Sequence, residues 1–281
     1  MDAEKIGIIL GIINSLAGIV SCIVAIKKKS VKWAVVFIIC IMLGFIIGFI
    51  SARRYFNVNK EEPHIVAIDP GDVGCEIDEA AASEVEEIGK GATKTVARYS
   101  NGGTGEITGV KEYDINLGVG KKLKEELVNR GYKVVMLRED NETLTGSKQR
   151  AEMASAAGAD ICVRIFCRKD QSLRKNGAMV YVPSENNVYI DRSEDERIVE
   201  KSQQLGLYIL NQYCLKTSFN NSGIAEKDDV VGINWSEMPV AQILLGCIND
   251  PSDEVKLADR NNWEAMAEGI ADGIDMYFEN E

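Results

Sequence analysis

The sequence predicts an α/β domain with a largely parallel, twisted sheet and helices on both faces, preceded by a two-helix transmembrane hairpin. Two observations predict this arrangement. From residue 64 onward, apolar strand-like runs alternate with amphipathic helical segments, a pattern typical of parallel sheets whose crossover helices cover both faces. Before residue 55, two long apolar runs carry no charged residue.

The uncharged runs occupy residues 6–26 and 33–50 and contain 21 and 18 residues. A helix rising about 1.5 Å per residue can cross a hydrocarbon core of about 30 Å with either length. A buried soluble hairpin is one alternative, but its helices would need a polar face. A signal peptide is another, but no cleavage pattern of small residues follows the second run. We therefore predict a retained hairpin at 1–54 and a linker at 55–63.

Basic residues near the two runs predict the orientation of the hairpin. Four lysines lie in the short loop 27–32, whereas only Arg53 and Arg54 follow the second run. Short cytoplasmic loops carry an excess of Lys and Arg, so we expect the loop on the cytoplasmic side. The predicted location is the cell membrane, as a multi-pass protein with its soluble domain extracytoplasmic.

The soluble part is strongly acidic. Residues 1–54 hold seven Lys and Arg residues but only two acidic ones, which leaves 25 basic and 41 acidic residues in 55–281. Such a surface repels phosphate backbones and excludes nucleic acid as a partner. The seven cysteines are scattered and form neither a disulfide framework nor a CxxC metal pair.

Hydrophobic periodicity predicts five strands and five helices in the soluble part. The strands are expected at 64–69, 132–138, 160–166, 178–182 and 240–245. The helices are expected at 113–130, 147–157, 194–214, 253–258 and 261–278. Residues 74–110 do not fit the alternation, because they begin with an acidic patch and end in a run rich in Gly and Thr. We predict that they form a long inserted surface loop.

Ordered motifs extend through almost the whole soluble part. The first strand ends in Asp69-Pro70-Gly71, residues 112–117 read Glu-Tyr-Asp-Ile-Asn-Leu, and residues 232–235 read Gly-Ile-Asn-Trp before the last strand. Their order resembles that of the zinc-dependent N-acetylmuramoyl-L-alanine amidases of bacterial cell walls. The resemblance covers 64–278 and implies an amidase-like fold, zinc as the cofactor of the family and peptidoglycan as its substrate. The insert 74–110 also resembles an insertion in one membrane-associated branch of that family.

The chain departs from this family at the positions that bind the metal and catalyse the reaction. The resemblance keeps one metal ligand as Glu112 but places Asp72 and Phe166 where the family has zinc-binding histidines. Leu244 stands at the position of the catalytic glutamate. Zinc hydrolases need three protein ligands and a general base, which Phe166 and Leu244 cannot supply. We therefore expect no zinc cofactor, and a pair of carboxylates alone suits Mg²⁺ or Ca²⁺ better.

Other side chains near these positions are weaker candidates. His64 is the only histidine and begins the first strand, about 15 Å from the ligand positions at about 3.3 Å per residue. Cys167 is adjacent to Phe166, so strand alternation predicts that it points away from the site. Arg168, where the family has Asn, and Asn234, in the motif before the last strand, are the candidate binding residues.

These observations favour a catalytically inactive amidase-like protein that binds peptidoglycan or another envelope protein outside the membrane. An active amidase with altered metal ligands is the alternative, and a structural role centred on the hairpin is a third. The resemblance implies that restoring the family's constellation needs Asp72→His, Phe166→His and Leu244→Glu together. The oligomeric state, the bound portion of peptidoglycan and the role of residues 74–110 stay open at this stage.

Overall fold

The chain divides into two units, residues 1–62 and 63–281. The computed structural model describes residues 62–169, 176–193 and 195–281, together with eleven separate positions between 23 and 46. Among these described residues no helix has the length and apolar character needed to span a membrane. The predicted spans 6–26 and 33–50 lie mostly outside the described residues, so the hairpin stays a prediction.

Six strands form the central sheet of the second unit, in the order β4-β1-β5-β8-β6-β7. Four of them run parallel, while β6 is antiparallel to β8 and parallel to β7. The largely parallel sheet predicted from the sequence is therefore confirmed. The strands are β1 (Ile65–Pro70), β4 (Lys133–Met136), β5 (Ile161–Arg168), β6 (Ala178–Val182), β7 (Asn221–Glu226) and β8 (Val240–Cys247).

Burial explains which strands the sequence predicts well. β1, β5 and β8 lie inside the sheet and are buried along nearly their whole length, so most residues in each are apolar. β5 and β8 each extend two residues beyond their predicted ends. β7 was not predicted, because it is an edge strand of sequence Asn-Ser-Gly-Ile-Ala-Glu with little apolar character. It is a strand because it pairs with β6.

Helices cover both faces of the sheet, as predicted. Three long helices and one core cluster lie on one face, and two shorter helices and a second cluster lie on the other. The first group is α2 (Glu112–Asn129), α4 (Ile198–Thr217) and α7 (Asn262–Asn280), and the second is α3 (Ser147–Ala156) and α5 (Val231–Asn234). A further helix, α6 (Pro251–Ala258), follows β8. The five predicted helices are each found within four residues of their expected ends.

The insert 74–110 is more ordered than the sequence predicts. It contains a short helix, α1 (Glu79–Ala82), and an antiparallel pair of strands, β2 (Val85–Glu87) and β3 (Thr95–Ala97). An isolated bridge between Thr104 and Lys111 closes its last turn. These elements are three or four residues long, which is too short to give a periodic signal in the sequence.

Two glycines let α4 and α7 pack with their backbones in contact. A Cβ at Gly273 would lie 2.4 Å from the Cα of Ile209. A Cβ at Gly269 would lie 2.8 Å from the Cα of Tyr213. Both distances are shorter than a normal carbon contact, so any side chain here would force the helices apart.

We predict that Gly273→Ala destabilises the domain, although Ala is the better helix former by about 1 kcal/mol. Overpacking of this kind typically costs about 1–3 kcal/mol, which outweighs the gain in helix propensity. Urea unfolding of the full-length chain and the variant measures the difference. A stabilised variant, as helix propensity alone would give, would contradict the backbone contact.

Candidate active site

The carboxyl ends of β1, β5 and β8 lie side by side at one edge of the sheet. Asp72 follows β1, and the strand register sets Phe166 of β5 beside Leu244 of β8. Glu112 begins α2 and reaches the same edge, where it contacts the backbone of Cys167. The structure thus brings the four positions singled out by the sequence to one edge of the sheet.

The carboxyl group of Glu112 is held by two backbone amides. Its Oε1 accepts the N–H of Cys167 at 2.8 Å, and its Oε2 accepts the N–H of Gly103 at 2.6 Å. The residue is only 6% exposed. Burial and the adjacent Asp72 raise the pKa of Glu112 to about 8.

Asp72 forms a buried pair with Glu112. The two carboxyl groups lie close enough to shift each other's pKa, and the neighbouring Ser100 hydroxyl lowers the pKa of Asp72. The amide nitrogen of Asn116 lies 3.4 Å from Asp72 Oδ2. Burial raises the pKa of Asp72 as well. The backbone of Asp72 has a φ of 62°, a left-handed conformation that Asp adopts more readily than most residues.

Residues 100–103 of the insert, here called the glycine turn, lie directly on this carboxyl pair. A Cβ at Gly102 would be 2.6 Å from Asp72 Oδ2 and 2.8 Å from Glu112 Oε2. Gly102 also has a φ of 67°, so the position needs glycine on both counts. Ser100 supports the turn, because its carbonyl accepts the N–H of Val73 at 2.8 Å and its hydroxyl accepts that of Gly102 at 2.9 Å.

Phe166 and Leu244 are packed apolar side chains. A Cβ at Gly71 would lie 2.3 Å from the Phe166 ring, so the ring rests against the backbone of the first turn. The guanidinium of Arg164 lies 5.0 Å from the centre of the same ring. Leu244 is 3% exposed. The Phe166 and Leu244 side chains have no atom that can bind a metal ion or accept a proton.

A network of buried charged and polar side chains surrounds Arg164, two residues before Phe166 in β5. It is not among the features predicted from the sequence. Arg164 stands opposite both Asp69 and Gln242 in the strand register. Asp69 makes ion pairs with Arg164 at 2.8 Å and with Arg150 at 2.7 Å. Burial alone would raise the pKa of Asp69, but the two guanidinium groups lower it below its usual range. An arginine in the middle of a buried strand is the signal that could have revealed this network.

The two candidate binding residues are buried in the domain. Asn234 donates hydrogen bonds to the carbonyls of Ile88 at 2.7 Å and Asp228 at 3.0 Å, and accepts one from Asn187 at 2.9 Å. Asn234 therefore connects the insert to the loops around α5 through hydrogen bonds. Arg168 ends β5 and is 7% exposed. A role in binding stays a prediction for both.

The expectations for the two other candidates have different outcomes. Cys167 and Phe166 do belong to opposite faces of β5, but Cys167 Sγ lies 3.8 Å from Asn116 Oδ1. The expectation that Cys167 points away from the carboxyl pair is therefore wrong, because α2 packs on that face. His64 is confirmed as a partly exposed residue at the other end of β1, where it stacks on Phe278 at 3.9 Å.

Comparison with known proteins identifies the family. A sequence model described as N-acetylmuramoyl-L-alanine amidase matches residues 66–276. The chain belongs to this amidase family. It is 30% identical over 171 residues to the Bacillus subtilis (strain 168) protein YqiI, a match that covers 61% of this chain and 76% of YqiI.

Solved structures of amidases share the fold. Ami1 from Mycobacterium smegmatis has a TM-score of 0.68 at 18% identity, over 78% of this chain and 98% of Ami1. CwlD from Clostridioides difficile, solved in complex with the GerS lipoprotein, has a TM-score of 0.60 at 20% identity. That match covers 78% of this chain and all of CwlD. At these identities the likeness shows the amidase fold and nothing finer.

The zinc ion that the amidase resemblance implies does not fit the residues present. Among the residues that the structure describes, no three or more His, Cys, Asp or Glu side chains form a group that could hold a metal. Both oxygens of Glu112 already accept backbone N–H groups. The Gly102 backbone also lies against both carboxyl groups, because a Cβ at this residue would be 2.6 Å from Asp72 Oδ2 and 2.8 Å from Glu112 Oε2.

We predict that Asp69→Asn destabilises the amidase domain by about 3–5 kcal/mol, because it leaves two buried guanidinium groups without their carboxylate. Urea unfolding at pH 7 measures the loss. Glu139→Gln is the matched control, since it removes an exposed ion pair with Lys124 that is worth about 0–1 kcal/mol. Equal effects of the two substitutions would contradict the importance of the buried network.

Proposed function

We propose that this chain is a non-catalytic member of the N-acetylmuramoyl-L-alanine amidase family that acts in the cell wall as a binding protein. One observation carries the proposal: the carboxyl of Glu112, the only ligand kept from the family, is held by backbone amides from the chain itself. Phe166 and Leu244 at the positions of a ligand and the general base support the same conclusion.

The chemistry of amide hydrolysis explains why these substitutions matter. A zinc amidase lowers the pKa of a metal-bound water to about 7 and uses a nearby carboxylate to take its proton. Leu244 cannot accept a proton. Asp72 and Glu112 both lie against Gly102 and are nearly enclosed, so neither is placed to activate a water molecule.

We propose an envelope protein as the partner, rather than peptidoglycan bound in the family's substrate groove. The glycine turn covers the carboxyl pair, so a glycan strand or stem peptide cannot reach it as a substrate would. The complex of the related CwlD with a lipoprotein is a precedent for protein binding by this fold. Peptidoglycan bound elsewhere on the domain is the second possibility.

We further propose that residues 1–54 anchor the protein in the cell membrane, with the amidase-like domain outside. The two uncharged runs and the lysine-rich loop between them support this arrangement. Val24 is intermediate in burial, and the other apolar side chains at the described positions of this region are 40–60% exposed, which suits a lipid environment. They are Ile23, Val35, Ile38, Ile39, Ile41, Met42, Leu43 and Ile46.

The purified full-length chain, supplied with zinc, should release no stem peptide from muropeptides, because it lacks a metal-bound water and a general base. A family amidase with the full set of histidines is the positive control. A chelator should also leave the thermal midpoint of the chain unchanged. Zinc-dependent hydrolysis by the unmodified chain would reject the non-catalytic function and favour the active amidase.

Protease added to intact protoplasts should digest the amidase-like domain, because the positive-inside rule places it on the outer side. Immunoblotting with an antibody against the domain detects the loss, and a cytoplasmic protein in the same sample should stay intact. A domain that is protected until the protoplasts are lysed would show that the proposed orientation is wrong.

A further inference from the structure

The glycine turn is fixed to the domain on several sides. Besides the contacts of Ser100, the amide nitrogen of Asn101 donates to the carbonyls of Val73 at 2.7 Å and Cys75 at 3.0 Å. Gly103 also accepts the backbone N–H of Glu112 at 3.0 Å through its carbonyl. The turn is therefore bonded to both chain segments that carry the carboxyl pair.

Two buried carboxyl groups, Glu254 of the domain and Glu86 of the insert, join the insert to the domain on either side of the turn. Glu254 of α6, which is 1% exposed, accepts the backbone N–H groups of Glu106, Ile107 and Thr108 at 2.6–3.1 Å. In the other direction, Glu86 of the insert accepts the first N–H groups of α3, a helix without a side-chain cap of its own. The insert and the domain thus each provide a carboxyl group that accepts hydrogen bonds from backbone N–H groups of the other.

We propose that the glycine turn is a built-in occupant of the family's metal position, which binds Glu112 through the Gly103 N–H, packs against Asp72 at Gly102 and keeps metal ions out. The N–H groups of Gly103 and Cys167 supply to Glu112 the partial positive charge that a metal ion would otherwise supply. One of these donors comes from the insert and the other from the end of β5, next to Phe166.

This inference goes beyond the lack of catalysis, because it makes the turn a separate barrier to metal binding. Replacing Asp72, Phe166 and Leu244 by the family's residues is then not sufficient to restore a zinc site. An ion that binds Glu112 has to displace the Gly103 N–H and move the Gly102 backbone away from both carboxyl groups. Zinc uptake after such replacement depends on whether the glycine turn stays in place against the two carboxyl groups.

Hydrogen exchange of the full-length chain tests whether the turn holds Glu112. Gly102→Ala introduces a Cβ that collides with both carboxyl groups, whereas Gly109→Ala introduces one with nothing within 4 Å. Both glycines belong to the insert and have positive φ, 67° and 71°, so the control carries the same kind of backbone strain.

We expect Gly102→Ala to speed exchange of the Gly103 and Cys167 amides by about tenfold or more, and Gly109→Ala to leave both near the parent rate. The amide of Val163, in the middle of β5, reports whether the domain stays folded. If the Gly103 and Cys167 amides exchange at the same rates in Gly102→Ala as in Gly109→Ala, the proposal is overturned.

Zinc content tests the second part of the proposal without any activity assay. The restored variant, with Asp72→His, Phe166→His and Leu244→Glu, is incubated with zinc, desalted and measured by mass spectrometry. We expect little zinc in this form and in the form that adds Gly109→Ala, but close to one equivalent when Gly102→Ala is added. A full equivalent with the turn intact would overturn the proposal, as would the absence of zinc from all three forms. If Gly102→Ala unfolds the chain, the zinc content of the restored variant alone decides.

Discussion

The site depends on one constraint: the carboxyl of Glu112 is buried and needs partners for both of its oxygens. A buried carboxyl without partners costs several kcal/mol, so the fold has to supply donors or a metal ion. Here two backbone N–H groups, one to each oxygen, meet that need. The position of the insert, the left-handed Asp72 and the glycine at 102 are all consistent with this arrangement.

The buried arginine network supports the strand ends that carry the site. Asp69, Arg164 and Gln242 lie at one level across three neighbouring strands, and Arg164 supports the Phe166 ring from below. A Cβ at Gly232 would lie 2.2 Å from the Arg164 guanidinium carbon, so the Arg164 side chain packs directly against the backbone of α5. The strand ends are therefore supported from one side by charge pairing and covered on the other by the insert.

The sequence predicted the elements that are buried and long, and missed those that depend on pairing. β1, β5 and β8 are predicted by their mainly apolar sequences, whereas β7 is a strand because it pairs with β6. The family motifs located Asp72, Glu112, Phe166 and Leu244, and the structure confirms that they meet at one edge. No local pattern could show that Gly102, ten residues before Glu112, rests on two carboxyl groups, because that contact is made in three dimensions.

Diffraction at the zinc absorption edge, from crystals of the full-length chain grown with excess zinc, tests the central claim most directly. The account predicts no anomalous peak beside Glu112, and an electron density map in which the Gly103 nitrogen stays within hydrogen-bond distance of Glu112 Oε2. A strong peak bonded to Glu112, with the glycine turn displaced, would contradict it.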